Sequence, residues 1–355
     1  MRKHVYCLIV SVLLTMPVSA KIWRVNNNTG VAADFTTLQA AHDGAANGDT
    51  LHVEGSATSY GALTLTKKLV IIGPGYYLGE NPDTQALKLT AKAGYIRFFQ
   101  ASAGSVLMGM DMQGQNTDVH ANDITIKRNL YALPNGNDNP EWGVGAIYLY
   151  YQYSGSGNLG PIANIFIVQN YGARISNSYA ATGVLITNNF LTTNSYVDPT
   201  TNWAVTLDDN TEAILKNNVI RGKVQLFNSN VTNNILFAGT FEKNNNLVSN
   251  NLGSGTQFDN ANGNKQNVDM ATVFVGAGEG VSTDGRWNLK AGSPAIGAGY
   301  GSTPQNRVDA GMFSGSTPYV LSGMPPVPSV YFFENQPVGS SADGIDVTIR
   351  VKSRN

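Results

Sequence analysis

A short pattern returns six times in this chain: two alternating apolar residues, polar residues, an asparagine and then, usually, another apolar residue. The copies are ITIKRNL from Ile124, IFIVQNY from Ile165, VLITNNF from Val184, AILKNNV from Ala213, SNVTNNI from Ser229 and NLVSNNL from Asn246. Their terminal asparagines, Asn129, Asn170, Asn189, Asn218, Asn234 and Asn251, lie 41, 19, 29, 16 and 17 residues apart. Self-similarity on this scale marks a stacked architecture, because one such unit cannot bury its apolar face alone. The spacing predicts coils of 16 to 29 residues and reads the 41-residue interval as two coils.

Alternation with period two makes each copy a strand with one buried face. Ile124 and Ile126, Ile165 and Ile167, Val184 and Ile186, and Ala213 and Leu215 are the predicted inward pairs. A second alternating family lies between the copies: GAIYLYY from Gly145, GARISNS from Gly172, WAVTLDD from Trp203 and GKVQLFN from Gly222. An antiparallel sandwich would need reversing turns, typically Asn-Gly or Asp-Gly, at each junction. The junctions carry Asn-Asn followed by an apolar residue instead. That suits a chain that bends without reversing, each coil stacking on the last at about 4.8 Å. Asparagine tolerates left-handed backbone angles, and stacked asparagine side chains can pair from coil to coil.

Composition agrees. Of 355 residues only 13 % are charged, against a norm of roughly 25 %, while there are 39 Asn and 38 Gly. Too few Lys, Glu and Arg remain to solubilise a helical bundle. The net charge of −1 and the lack of a basic stripe argue against a nucleic-acid partner. With 42 % hydrophobic residues the chain is too apolar to be disordered.

The first 20 residues read as a secretory leader, with Arg2 and Lys3, an apolar run from Val5 to Met16, and Val18-Ser19-Ala20 before the cut. The apolar run is shorter than the roughly 20 residues that span a bilayer, so no membrane span is expected after cleavage. Cys7, the only cysteine, would leave with the leader, which excludes disulfide and thiol chemistry in the mature chain. Loss of Arg2 and Lys3 would take the formal charge to about −3. Asp34 is a candidate N-cap for a short helix through Phe35, Leu38, Ala41 and Ala45, closing the first coil. Residues 21–315 form the predicted solenoid. Residues 316–355 open on a Pro/Gly/Ser linker and end in two alternating runs, VYFFEN and IDVTIRV, expected to be a β-hairpin on the last coil or a fragment of a small β-module.

The Asn-Asn turns, the opening FTTLQAAHDGAANGDTLHVEGS from Phe35, the coil LTLTKKLVIIGPG from Leu63, and the closing LKAGSPAIGAG from Leu289 with VDAGMF from Val308 resemble exported bacterial proteins of the pectin-lyase-like superfamily. The resemblance covers roughly residues 22–313. It implies an all-β fold, a right-handed parallel β-helix with a short N-terminal capping helix and a C-terminal hairpin tail. Such scaffolds host lyases, hydrolases, adhesins and surface proteins, so the fold does not choose an activity.

In this family polysaccharides lie in a groove along one parallel sheet, so the outward face of the second strand family is the candidate site. If Ile147, Leu149, Ile175, Val205, Leu207, Val224 and Leu226 point inward, the outward set is Tyr148, Tyr150, Arg174, Ser176, Thr206, Asp208, Lys223, Gln225 and Phe227. Aromatic planes for sugar rings and polar groups for hydroxyls or carboxylates share that stripe. Residues 134–161 break the coil rhythm and add Trp142, Tyr151 and Tyr153 beside it. The substrate-binding candidates are Tyr148, Tyr150, Trp142, Tyr153 and Gln225.

A lyase needs a base beside a uronic-acid carboxylate and a cation to neutralise it. Lys223 and Arg221 are the candidate bases, with Arg174 and Asp208 assisting and a calcium ion admitted only on that reading. An ordinary lysine, with a pKa near 10.4, would need its neighbours to shift it. Of the family hydrolases' Asn-Thr-Asp, Asp-Asp, Gly-His-Gly and Arg-Ile-Lys motifs, only an Asp-Asp, Asp208-Asp209, occurs, and alternation sends its two carboxylates to opposite faces. The fuller arginine and acidic signatures of the pectate lyases are also missing. His42, His52 and His120 lack metal-ligand spacing, and Asp49 is expected to fix the first turn. Nucleotide-binding glycine loops have no strand-to-helix context.

The resulting expectation is a secreted, monomeric protein that binds a polysaccharide or cell-surface glycan as a surface or matrix component, without a cofactor. A lyase acting on a uronic-acid-containing glycan is the alternative, and a structural or adhesive spacer with no small-molecule site the second.

Overall fold

A computed structural model describes residues 20–132, 144–150, 160–177, 179–193, 198–340, 342 and 344–353. The chain winds into a parallel β-helix. The first strand family stacks into a 10-stranded parallel sheet from Ile22–Val25 to Leu247–Ser249. The second family stacks into another, from Leu63–Leu65 through Ala146–Leu149 and Lys223–Phe227 to Phe241–Asn244. Its rungs are in register: Tyr148 pairs with Ser176, Ser176 with Thr206, Thr206 with Gln225 and Gln225 with Glu242.

All the predicted inward residues of both families are buried and join one interior core. Their alternation leaves the intervening side chains on the outer faces, as the period of a strand requires.

The bends carry a buried ladder. Asn129, Asn170, Asn189, Asn218, Asn234 and Asn251 are each fully buried, and each donates Nδ2 to the Oδ1 of the next at 2.9–3.1 Å. Asn251 passes the series on to Asn264, a seventh rung outside the six sequence copies. The left-handed backbone position falls one residue earlier, at Arg128, Gln169, Asn188, Asn217, Asn233 and Asn250, with φ between 53° and 59°. Bend and ladder are thus made by neighbouring residues, which explains the Asn-Asn pairs.

Two expectations about coil geometry are corrected. The 41-residue interval is one coil, because Thr125–Lys127 pairs directly with Ile162–Val168 and Asn129 bonds directly to Asn170. Residues 133–143 and 151–159, on either side of Ala146–Leu149, lie outside the described residues. The later coils also have a third, short side: the strands Phe190–Thr192, Val219–Arg221, Ile235–Ala238 and Leu252–Gly253 form a corner sheet after the ladder.

The apolar residue that follows each of the six repeat asparagines lies on this corner. Leu130, Tyr171, Phe190, Val219, Ile235 and Leu252 face a second core, completed by Val273, Phe274, Trp287, Ala295, Ala310, Met312 and Tyr319 from the C-terminal part of the chain. That part runs back along the corner: Gly311 N donates to Asn233 O, Asn188 Nδ2 to Ser314 O, Arg128 Nη1 to Met324 O and Ala86 N to Val330 O. The Pro/Gly/Ser stretch is therefore a docked strap for much of its length. Its hairpin, Ser329–Asn335 with Val347–Lys352, lies near Asp83 and Ala86 in the early coils, not on the last coil.

At the other end the helix Leu38–Gly44 buries Leu38 and Ala41 in the interior core, with Ala45 beside them, closing the first coil. Its N-cap is Thr37, whose Oγ1 accepts from Ala40 N at 3.2 Å; Asp34 instead accepts from Arg24 N at 2.8 Å. The helix therefore starts three residues later than a cap at Asp34 would place it. Among the described residues no helix is long and apolar enough to cross a membrane.

Candidate functional site

The outward face of the second sheet gathers the chemistry. One column across its coils reads Thr64, Arg97, Asp118, Tyr148, Ser176, Thr206, Gln225 and Glu242, about 34 Å of stacked rungs. Two residues further along the strands, Phe99, His120 and Tyr150 form an adjoining aromatic column. The His120 and Tyr150 rings are stacked at 4.8 Å and 8°, with Phe99 edge-on to His120 at 5.9 Å. Tyr148 and Tyr150 lie 5.8 Å apart, joining the two columns.

Arg174 enters from the next coil. Its Nη2 donates to the Tyr148 hydroxyl at 3.0 Å, while its Nε is buried with no hydrogen-bond partner. Among the described residues no carboxylate lies within ion-pair distance of this guanidinium. A half-buried guanidinium set against tyrosine, with no described carboxylate beside it, could pair with a planar anion.

Asp118 is the acid of the site, only 6 % exposed. It accepts from the Tyr95 hydroxyl, lies 3.8 Å from Arg97 Nε and 4.0 Å from His120 Nε2, and burial pushes its carboxyl up to about 6. Arg97 Nη2 also donates to the Tyr95 hydroxyl at 3.0 Å. Burial raises the neighbouring Tyr150 phenol as well. A carboxyl that changes charge near neutrality, beside a phenol and an imidazole, can take or give a proton at the surface of the stripe.

Sequence reasoning did not single out Tyr95, Arg97 and Asp118, and set His120 aside. They lie in Ile96–Phe98 and Thr117–Val119 or beside them, in coils that precede the first asparagine copy. Alternation in YIRFF and TDVH marks these outward positions, but only register places them beside Tyr148.

The four lyase candidates are dispersed. Lys223 Nζ pairs with Glu242 Oε1 at 2.6 Å and sits 4.0 Å from the Trp203 ring centre. Arg221 ends a corner-sheet strand, across Gly222 from the second sheet. Asp208 lies beyond the far end of Trp203–Thr206, its Oδ1 accepting from Asn210 N at 3.0 Å and Asn210 Nδ2 at 3.1 Å, its own N–H donating to Asn177. From the rung of Lys223 to that of Asp208 is about 13 Å along the strand. Of the four, Arg174 alone joins the cluster at Tyr148. Asp208 is engaged by its own turn, and among the described residues no group of three His, Cys, Asp or Glu side chains could hold a metal ion.

Among the binding candidates, Tyr148, Tyr150 and Gln225 share the outward face, Gln225 accepting from Thr206 Oγ1 at 3.3 Å. Trp142 and Tyr153 lie outside the described residues. Comparison with protein-family models, with curated proteins and with solved structures returns no match.

Proposed function

We propose that this is a secreted polysaccharide-binding protein of the pectin-lyase-like type, and that an acidic glycan lies along the outward face of its second sheet. The observation that carries the reading is Arg174. A half-buried guanidinium braced on Tyr148, with no described carboxylate beside it, suits the carboxylate of a uronic acid, and the Tyr148, Tyr150 and His120 rings offer planes to sugar faces. A stripe about 34 Å long favours a polymer over a small molecule.

The lyase reading is favoured by a different residue from those its sequence argument chose. Asp118, poised near neutrality, replaces Lys223 as the base. In β-elimination the base takes the C5 proton, the C4–O bond breaks, the leaving oxygen is protonated and a C4–C5 double bond forms. Arg174 would hold the carboxylate, and Arg97 and Tyr95 would position Asp118.

A panel of acidic and neutral polysaccharides, cast into native gels and also followed by ultraviolet absorbance, separates the readings. Retention in uronate gels without unsaturated product, lost in Arg174→Ala and Tyr148→Ala, supports binding. Product that disappears in Asp118→Asn supports the lyase. No retention on any glycan would overturn both and leave a spacer.

A further inference from the structure

Asp49, 3 % exposed at the capped end of the solenoid, receives three nitrogen donors at 2.8 Å: the backbone N of Lys21 on Oδ1, and Trp23 Nε1 and Ala46 N on Oδ2. Burial works to raise its carboxyl, yet these donors and the nearby lysine outweigh it and hold it below the ordinary carboxylate range. Lys21 is also where pairing with the solenoid starts. Its carbonyl accepts from Thr50 N at 2.8 Å, and Ile22 opens the first strand in register with Thr50. Its own Nζ lies 3.2 Å from the ring centre of Trp23, the residue whose Nε1 donates to Asp49, and adds a favourable charge to that carboxylate.

The leader pattern places its cut between Ala20 and Lys21, both exposed. Hydrolysis there adds water across the peptide bond: the C–N bond breaks, Ala20 leaves with a carboxylate, and the Lys21 nitrogen takes up protons as an ammonium group. In the uncut chain that nitrogen is a neutral amide donor. In the cut chain it is a cation 2.8 Å from a buried carboxylate.

We propose that cleavage after Ala20 is a maturation switch in which the new Lys21 ammonium locks onto Asp49, so the exported chain gains an ion pair at its cap that the precursor lacks. The inference rests on the reading of residues 1–20 as a secretory leader. A charge-assisted bond to a buried acceptor is roughly twice as strong as the neutral one it replaces. The other charged groups on the packed strands are Arg24 and Glu54, paired with each other at 2.6 Å, and His52; of all of them only Lys21 adds charge to Asp49.

The sign follows from linkage. An α-amine, ordinarily near 7.7–8.0, is raised by the carboxylate, so its contribution is full below that range and lost as pH rises through the folded value. The carboxylate's contribution is lost toward acid.

The test compares four forms of residues 21–355: one beginning at Lys21, the same chain acetylated at that nitrogen, and the Asp49→Asn variant of each. The free-amine chain should melt about 2–4 °C above the acetylated one at pH 6–7. That gap should close by about pH 10 and be absent in the Asp49→Asn pair. Equal melting at pH 6–7, or a gap that persists in Asp49→Asn, would overturn the ion pair. N-terminal sequencing of the exported protein separately tests the leader: an end at Lys21 supports the switch, and an end elsewhere overturns the maturation step whatever the melting data show.

Discussion

Asn189 Nδ2 donates to Asn218 Oδ1 at 3.0 Å, and Asn189 N donates to the same oxygen at 2.9 Å. Asn218 Nδ2 in turn reaches Asn234 Oδ1, Lys216 O and Ile186 O at 2.8–3.0 Å. One fully buried amide thus satisfies polar groups of three coils, and water cannot replace it. Asn218→Ala orphans several of these groups at about 1–3 kcal/mol each and should cost about 3 kcal/mol or more in denaturant unfolding. Exposed Asn260→Ala, off the ladder, should change stability by less than about 0.5 kcal/mol.

The strap and the hairpin should separate in a truncation series. Removing residues 329–355 loses an exposed hairpin held by contacts such as Ala86 N to Val330 O and the Lys352–Asp83 pair, and should shift stability by about 1 kcal/mol or less. Removing residues 316–355 uncovers Tyr76 and Tyr171 by taking away Tyr319, and should produce a marked drop in melting temperature with new dye-binding surface. Phe190→Ala, which empties the site stacked on Trp287 at 4.5 Å, should cost about 3–5 kcal/mol.

Asp118 gives a pH signature of opposite sign to the usual acid. Its folded value, about 6, lies above the unfolded one, so its contribution is complete below about pH 4 and lost as pH rises through 6. Asp118→Asn should therefore flatten the melting temperature between pH 4 and 7 and exceed the parent protein by about 1–3 kcal/mol at pH 8, unless the lost Tyr95 and Arg97 partners offset it. Melting curves across that range, with Tyr95→Phe as a companion, separate the two contributions.

Legibility followed periodicity. The coils from Ile124 onward could be read because alternating pairs end in asparagine, and the inward residues they name are buried. Asn264 escaped because Ala261, Asn262 and Gly263 before it form a turn without an alternating pair. Corner strands of two to four residues are too short to show a period, so Phe190 and Ile235 looked like simple repeat ends rather than the floor of a second core. Composition misread the strap: proline, glycine and serine suggest a linker, yet Tyr319 and Met324 are buried against coils more than 190 residues earlier in the chain. At the candidate site, alternation identified Tyr148, Arg174 and Lys223 as outward. Only register, which depends on loop lengths, shows that Asp118 is Tyr148's neighbour and that Lys223 faces Glu242.

Affinity of a uronic-acid polymer for the parent protein and for Arg174→Ala, measured by titration calorimetry at pH 7 and low salt, tests the central claim most directly. Binding should be saturable, weaken about tenfold or more in Arg174→Ala and stay unchanged in Arg307→Ala, an exposed arginine paired with Asp309. Equal affinity in the parent and Arg174→Ala would contradict the placement of the glycan on this face.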